Sequence, residues 1–115
     1  MTADCLFCRV LRREIPATMV FEDDQVVAFR DINPQAPVHI LIIPKRHIAT
    51  MNECRPEDEG LVGHLLCTGA RLAKAEGRDA TGFRLVVNTN ADAGQSVFHL
   101  HCHLLGGRKM AWPPG

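Results

Sequence analysis

Neither sign of charge is in excess in this chain, which carries 13 Lys and Arg against 13 Asp and Glu. Nucleic acid is therefore not expected as the main partner, because a polyanion is held by surplus basic residues. Any phosphate handled here should belong to a small molecule. No apolar run approaches the roughly 20 residues that cross a bilayer, so no membrane partner is expected. The opening MTADCLFC has none of the long apolar core of a signal peptide, and the five cysteines make an odd number. Both features point to a reducing, cytoplasmic setting. A GxGxxG turn and a GxxxxGK[ST] loop are absent as well, which argues against a Rossmann sheet or a P-loop and leaves any nucleotide to be held by another device. There is no internal repeat and no low-complexity tract.

What is present suits a folded chain: 115 residues, 46% apolar and 23% charged. One core serves roughly 100–150 residues, so residues 1–115 are expected to form a single domain. Asp4, followed by Leu6, Phe7, Val10 and Leu11 at helical spacing, predicts a helix over 4–13 that Pro16 ends. ATMVFEDDQVVAFRD holds two β-prone runs on either side of Glu22-Asp23-Asp24 and reads as a hairpin. INPQAP is a loop stiffened by Pro34 and Pro37. VHILIIP is a nearly continuous apolar strand, expected centrally in a sheet.

Pro56 with Glu57, Asp58 and Glu59 starts a helix running to about Glu76, before Gly77. Its apolar residues form two rows, Leu61-Leu65-Leu72 and Val62-Leu66-Ala70-Ala73. That is wider than one sheet face requires, and the second row is expected to meet a partner subunit. FRLVVN is a further strand, NADAGQS a polar loop, and VFHLHCHLLGG a last strand closed by Gly106-Gly107. Strands clustered as hairpins around one long helix define an α+β architecture with a mainly antiparallel sheet.

The last predicted strand holds His99, His101 and His103 in strict alternation with Phe98, Leu100, Cys102 and Leu104. An extended strand would gather three imidazoles on one face, about 6–7 Å apart, and an apolar row on the other. Like charges that close depress one another's pKa and favour neutral imidazole near neutral pH. Three readings are open: independent core or surface histidines, a zinc site with one open position, or a nucleophilic site in which one ring attacks phosphorus and its neighbours bind phosphate oxygens. Gly94, Gln95 and Ser96 favour the third, since a Gly-containing loop offers backbone N–H groups and a hydroxyl to an anion.

GQSVFHLHCHLLGGRKMAWPPG resembles the signature of the histidine triad (HIT) family, H-x-H-x-H followed by apolar residues, and within it the Hint branch of nucleotide-binding phosphoramidases. REIPATMVFEDDQVVAFRDINPQAPVHILIIPKRHI is similar to the family's first half, so the likeness covers nearly the whole chain. His103 stands where the transferase branch carries Gln. Ser96, Gly106-Gly107-Arg108 and Trp112-Pro113-Pro114-Gly115 resemble Hint rather than the dinucleoside polyphosphate hydrolases. The resemblance implies a HIT-like α+β fold of five mainly antiparallel strands and two helices, paired as a homodimer into one continuous sheet of ten. The MAWPPG tail would then lie near the partner's active site.

By the same resemblance His101 is the nucleophile. It would attack the α-phosphorus of a purine nucleoside phosphoramidate of the AMP-amine, AMP-lysine or acyl-AMP type, leaving a nucleotidyl-histidine that water hydrolyses. His99, His103, His39 and Ser96 complete the implied catalytic set, with His39 and His103 binding phosphate oxygens or moving protons and Ser96 on the side of the leaving amine. His101 should donate its other ring N–H to a backbone carbonyl. Asp31 matches the family's ribose-binding acid, and is equally a turn aspartate before INPQ. Phe7, Val10, Phe29 and Ile32 correspond to the base slot, and as apolar residues are equally core. Asn88, Gly94 and Gln95 match positions near the phosphate, although Asn88 is equally an ordinary strand-end residue.

Cys5 and Cys8 form a CxxC on one face of the first helix, where a small buried thiol is unremarkable. With His47 and His99 they would also make a Cys₂His₂ tetrahedral zinc set. Resemblance to bacterial relatives with this CxxC implies structural zinc that ties the helix to the sheet, with no cofactor required for catalysis. Two other functions stay open: a nucleotide-binding or scaffold module with weak catalysis, and a zinc-dependent hydrolase.

Overall fold

Three residue stretches expected to be strands become so with nearly the expected bounds, and they lie side by side because each carries apolar residues on both faces. In the computed structural model, which describes residues 5–115, α1 spans Leu6–Leu11, β1 Met19–Glu22, β2 Val26–Arg30 and β3 Val38–Pro44. After two 3₁₀ turns, at Met51–Glu53 and Pro56–Asp58, come α2 (Glu59–Ala75), β4 (Phe83–Val86), the short α3 (Asn90–Ala93) and β5 (Cys102–Gly106). The strands form one sheet in the order β1-β2-β3-β5-β4, with every pairing antiparallel. The VHILIIP strand is central and buried throughout, as its continuous apolar spelling requires. Among the described residues no helix is long and apolar enough to cross a membrane.

The period-2 alternation of the strands sorts the core into two layers. Val26 and Ala28 of β2, Val38, Ile40 and Ile42 of β3, and Cys102 and Leu104 of β5 face α2, where Leu65 and Ala73 close over them. On the other side Val27 and Phe29 of β2 and Leu41 and Ile43 of β3 face α1 through Phe7 and Val10. His39 and His103 fall on this second face, because they alternate with Ile40 and with Cys102 and Leu104. Gly69 lets α2 lie close to the sheet: a Cβ there would sit 2.8 Å from Leu85 Cδ2.

Several expectations are corrected. The N-cap of α1 is Cys5, whose Sγ accepts from the Cys8 amide at 3.3 Å, while Asp4 lies outside the described residues. The polar loop NADAGQS contains α3, which ends at Gly94 in the left-handed region at φ 80°. The wide second row of α2 is divided: Ala73 belongs to the core and Val62 packs against it, whereas Leu66 (38% exposed) and Ala70 face outward. Phe98 does not join the buried row of Leu100, Cys102 and Leu104 but is 49% exposed.

The largest correction concerns the triad. The strand expected from Val97 onward begins only at Cys102, so His99 and His101 lie on an irregular segment and His103 alone is in β5. The cause is Pro44. Continuing the β3–β5 register, Ile42 with Cys102, would set Pro44 opposite Leu100. Proline has no N–H to give the ladder, its carbonyl is taken by His99 Nε2 at 2.8 Å, and the Leu100 N–H turns to the Ile48 carbonyl at 2.6 Å. The ladder stops and the segment bends.

Candidate active site

That bend divides the three histidines between two neighbouring sites. His101 and His103 stay on the cleft, with ring centroids 4.9 Å apart. Both ring nitrogens of His99 are engaged elsewhere, Nε2 with Pro44 and Nδ1 among Cys5, Cys8 and His47. The spelling therefore does not produce one row of three equivalent rings. His99 still touches the cleft through its main chain, since its carbonyl oxygen accepts from His101 Nδ1 at 2.7 Å.

The hydrogen-bond partners fix where the protons sit. A carbonyl facing Nδ1 requires that nitrogen to carry hydrogen, so neutral His101 keeps its lone pair on Nε2. For His39 the order is reversed: the Gln35 backbone N–H donates to Nδ1 at 3.0 Å, which places hydrogen on Nε2. His39 Nε2 lies 2.9 Å from His103 Nδ1 and donates to it, so neutral His103 carries its own hydrogen on Nε2. One ring thus offers a lone pair and its neighbour an N–H.

Neutrality follows from surroundings. Burial pushes the pKa of His101 down, against the His99 carbonyl and Asp31, which pull it up. His103 is pushed down to about 4 by burial and then by His101 and His39, opposed by Asp31. Burial likewise lowers His39, again opposed by Asp31. Desolvation leads in each case, and repulsion between rings is secondary, the reverse of the order that close spacing alone implies.

The cleft occupies about 240 Å³ between α1 and the sheet. Of the residues picked from sequence, Phe7, Val10, Phe29, Asp31, Ile32, Ser96, His101 and His103 line it. Phe7 stands edge-on to Phe29 and to His101, at centroid distances of 5.5 and 5.1 Å. Ile32 sits at the rim, 96% exposed, and is not core. Asp31 fulfils the turn reading and leaves room for the other: Oδ1 accepts from the Asn33 amide at 2.8 Å, while Oδ2 lies 3.4 Å from His39 Nε2. Gln95 does not line the cleft. Its side chain accepts from the Asn90 amide and donates to the Ala49 and Val97 carbonyls, shaping the loop that presents Ser96. Asn88 and Gly94 are not among the lining residues either.

Sequence reasoning missed Leu6, Ile15, Pro16, Ala17, Arg30, Leu41 and Val97 as lining residues. Leu41 was findable, because it lies two residues from His39 on the same strand face. Ile15-Pro16-Ala17 gave only a helix-stop signal.

Behind the cleft the donor atoms of Cys5, Cys8, His47 and His99 converge within 4.8 Å of one another. His47 Nδ1 and His99 Nδ1 are 3.1 Å apart, and sulfur to nitrogen distances are 3.3 to 3.5 Å. Zinc bonds of about 2.3 Å to sulfur and about 2.0 Å to nitrogen place tetrahedral ligands roughly 3.3–3.8 Å apart, so the four atoms fit that ion closely. The tautomer agrees, since Nε2–H of His99 on Pro44 leaves Nδ1 as a free ligand. Asp31, His39 and His103 form a second convergent group. Their chemistry does not suit a metal: the Gln35 amide holds a proton on His39 Nε2, the atom a cation would need.

These features, a five-stranded antiparallel sheet with paired neutral imidazoles beside its β5, meet their counterpart in known proteins. Residues 12–110 match the HIT domain, and the chain belongs to the HIT family. It is 55% identical, over the full length of both chains, to an uncharacterized HIT-like protein of Synechococcus elongatus. The crystal structure of a HIT family hydrolase from Legionella pneumophila superposes with a TM-score of 0.95 at 56% identity, covering 97% of this chain and 100% of that one. A histidine triad protein from Clostridium difficile superposes with a TM-score of 0.92 at 43% identity, covering 96% of each.

Proposed function

We propose that this chain, residues 1–115 as one HIT domain of the Hint type, hydrolyses purine nucleoside phosphoramidates through a nucleotidyl-histidine on His101. The observation that carries this is the opposed tautomer pair. His101, held by the His99 carbonyl, has its lone pair on Nε2, and His103 beside it has an N–H. A neutral imidazole lone pair attacks phosphorus, and an adjacent donor binds the phosphoryl oxygen where negative charge grows. Phe7, Val10 and Phe29 form an apolar slot suited to a purine ring, and Asp31 retains acceptor capacity for ribose hydroxyls. Ser96, exposed and lining the cleft, is on this reading the group on the side of the leaving amine, which needs a proton to depart.

The Cys5/Cys8/His47/His99 set holds structural zinc on this reading, and the metal takes no part in the chemistry. The protonated His39 Nε2 argues against the zinc-dependent hydrolase. The working assembly is a homodimer in a reducing, cytoplasmic setting, joined along the free edge of β4 and the outward Leu66 and Ala70 of α2.

The test is time-resolved mass spectrometry of the protein mixed with adenosine phosphoramidate. An adenylyl mass on the peptide carrying His101, appearing and decaying with turnover and lost in His101→Ala, is the expected result. Nucleotide binding without any adduct or turnover would make the chain a binding module instead.

A further inference from the structure

The turn from α2 to β4 and the exit from β5 bring together a group of cations that the proposed chemistry does not use. α2 ends in a Schellman motif: Gly77 takes φ +75°, its amide donates to the Lys74 carbonyl at 3.0 Å, and the Arg78 amide donates to the Ala73 carbonyl at 2.8 Å. The Arg78 carbonyl in turn accepts from the Gly82 amide at 2.9 Å, so both ends of the connection are fixed. From there the Arg78 side chain lies over Gly106 and Gly107. A Cβ on Gly106 would fall 3.2 Å from Arg78 Cγ, and one on Gly107 would fall 3.3 Å from Arg78 Cζ, so the two glycines make the seat for the guanidinium.

Beside that seat is a cavity of about 460 Å³ lined by Arg78, Thr81, Gly82, Gly107, Arg108 and Lys109. Three of these residues are cations and none is acidic. Their charges are not neutralised within the fold: among the described residues no carboxylate pairs with Arg78, Arg108 or Lys109. Glu76 feels Arg78, but its two oxygens are held by Arg30 at 2.8 and 3.1 Å. Arg108 gives Nε to the Gln35 carbonyl at 2.8 Å and Nη1 to the Lys109 carbonyl at 3.4 Å, and keeps Nη2. Arg78 Nε is buried with no hydrogen-bond partner among the described residues. The negative end of the α2 dipole accounts for one cation, Arg78, and for neither of the two that follow β5. A buried guanidinium N–H without an acceptor is unfavourable, and gathering three like charges adds to that cost. An anion among them offsets both.

We propose that this cavity binds a small oligophosphate, of which pyrophosphate is the simplest. It shares no lining residue with the cleft of His101, and its occupancy does not depend on the nucleotide reading above. Two guanidinium groups offer planar pairs of donors to phosphoryl oxygens, Lys109 a point charge, and Thr81 a hydroxyl. The rest of the molecule argues for a small ligand. With 13 basic and 13 acidic residues the chain has no surplus charge to track a nucleic-acid backbone, so the attraction is confined to this one concavity.

The experiment titrates the isotopically labelled full chain with pyrophosphate at about 0.15 M salt, where charges more than about 8 Å apart are largely screened. The amide resonances of Gly82, Gly107 and Lys109 should shift together and saturate below about 1 mM pyrophosphate, an affinity of roughly 4 kcal/mol or better. Arg78→Gln removes a charge-assisted contact and should weaken binding about tenfold. Lys109→Gln alters an exposed side chain, so its effect cannot be mistaken for unfolding, and should weaken binding about threefold. Shifts that sodium chloride reproduces at matched ionic strength, an affinity that neither variant changes, or a response confined to the His101 and His103 resonances would overturn the proposal. So would tighter binding to phosphatidylglycerol vesicles than to pyrophosphate, which would make the patch a membrane contact.

Discussion

His39 Nε2 and His103 Nδ1 are joined at 2.9 Å, and the far nitrogen of His39 is met by the backbone amide of Gln35. A main-chain N–H, which has no alternative protonation state, thereby dictates the hydrogen position on a ring two side chains away. Replacing His39 by Phe keeps an aromatic ring and removes the relay. Turnover of adenosine phosphoramidate should fall about 10²-fold, in the range of a misplaced acid–base group. Nitrogen chemical shifts of His103 should show both tautomers where the parent shows one. A His103 that keeps a single Nε2–H form in the variant would refute the relay.

The acid limb of activity should lie well below the ordinary histidine value. Burial lowers His101, and His103 is pushed down to about 4. On the proposed mechanism the attacking imidazole is neutral, so kcat/KM should hold steady as pH falls through 6.5 and decline only below that. Stability follows the same direction. A ring whose folded pKa is depressed takes up protons more readily when unfolded, so its neutral burial contributes fully above about 6.5 and is lost as pH falls toward 4. Urea titrations between pH 4 and 8 should show stability rising with pH; a flat profile would contradict the burial of these rings.

Asp31→Asn tests the sugar contact. Oδ1 is committed to the Asn33 amide, leaving Oδ2 as the group able to meet a ribose hydroxyl. The loss of one charge-assisted hydrogen bond of about 1.5–3 kcal/mol predicts KM raised roughly 10- to 100-fold with kcat changed much less. The penalty should vanish for a substrate lacking ribose hydroxyls. An equal penalty on both substrates would assign Asp31 to the turn alone.

Gly107→Ala should destabilise the fold by about 1–3 kcal/mol, read as a lower midpoint in urea. Its φ is +95°, and an added Cβ would lie 2.9 Å from Pro37 Cβ. The neighbouring Arg108 Nε donates to the Gln35 carbonyl at 2.8 Å, so the disturbance should also reach the amide that holds His39.

Much of this was legible in the sequence, for reasons that differ by element. Continuous burial spelled out β3, Pro56 and its acidic followers announced α2, and the part of Phe7 and Phe29 in lining the cleft surfaced only through family resemblance, since both are core residues by any local criterion. Cys5, Cys8, His47 and His99 were legible as a candidate donor set from their chemistry and the family resemblance, whereas their convergence is a fact of the fold alone. What strict alternation could not convey was where the β5 ladder stops, because that depends on residue 44 of a different strand. The tautomer of His103 was equally hidden, being set by an amide that no side-chain pattern encodes.

The missing amide hydrogen of Pro44 has a reach larger than its place at a strand's end suggests. Any substitution there that supplies an N–H gives the Leu100 carbonyl a donor on β3 and the ladder a reason to run on by two residues. His99 would then leave its sulfur neighbours at the moment its carbonyl turned from His101. One imino acid therefore keeps the Cys5/Cys8/His47/His99 cluster and the His101 ring from being ironed flat into the same ribbon.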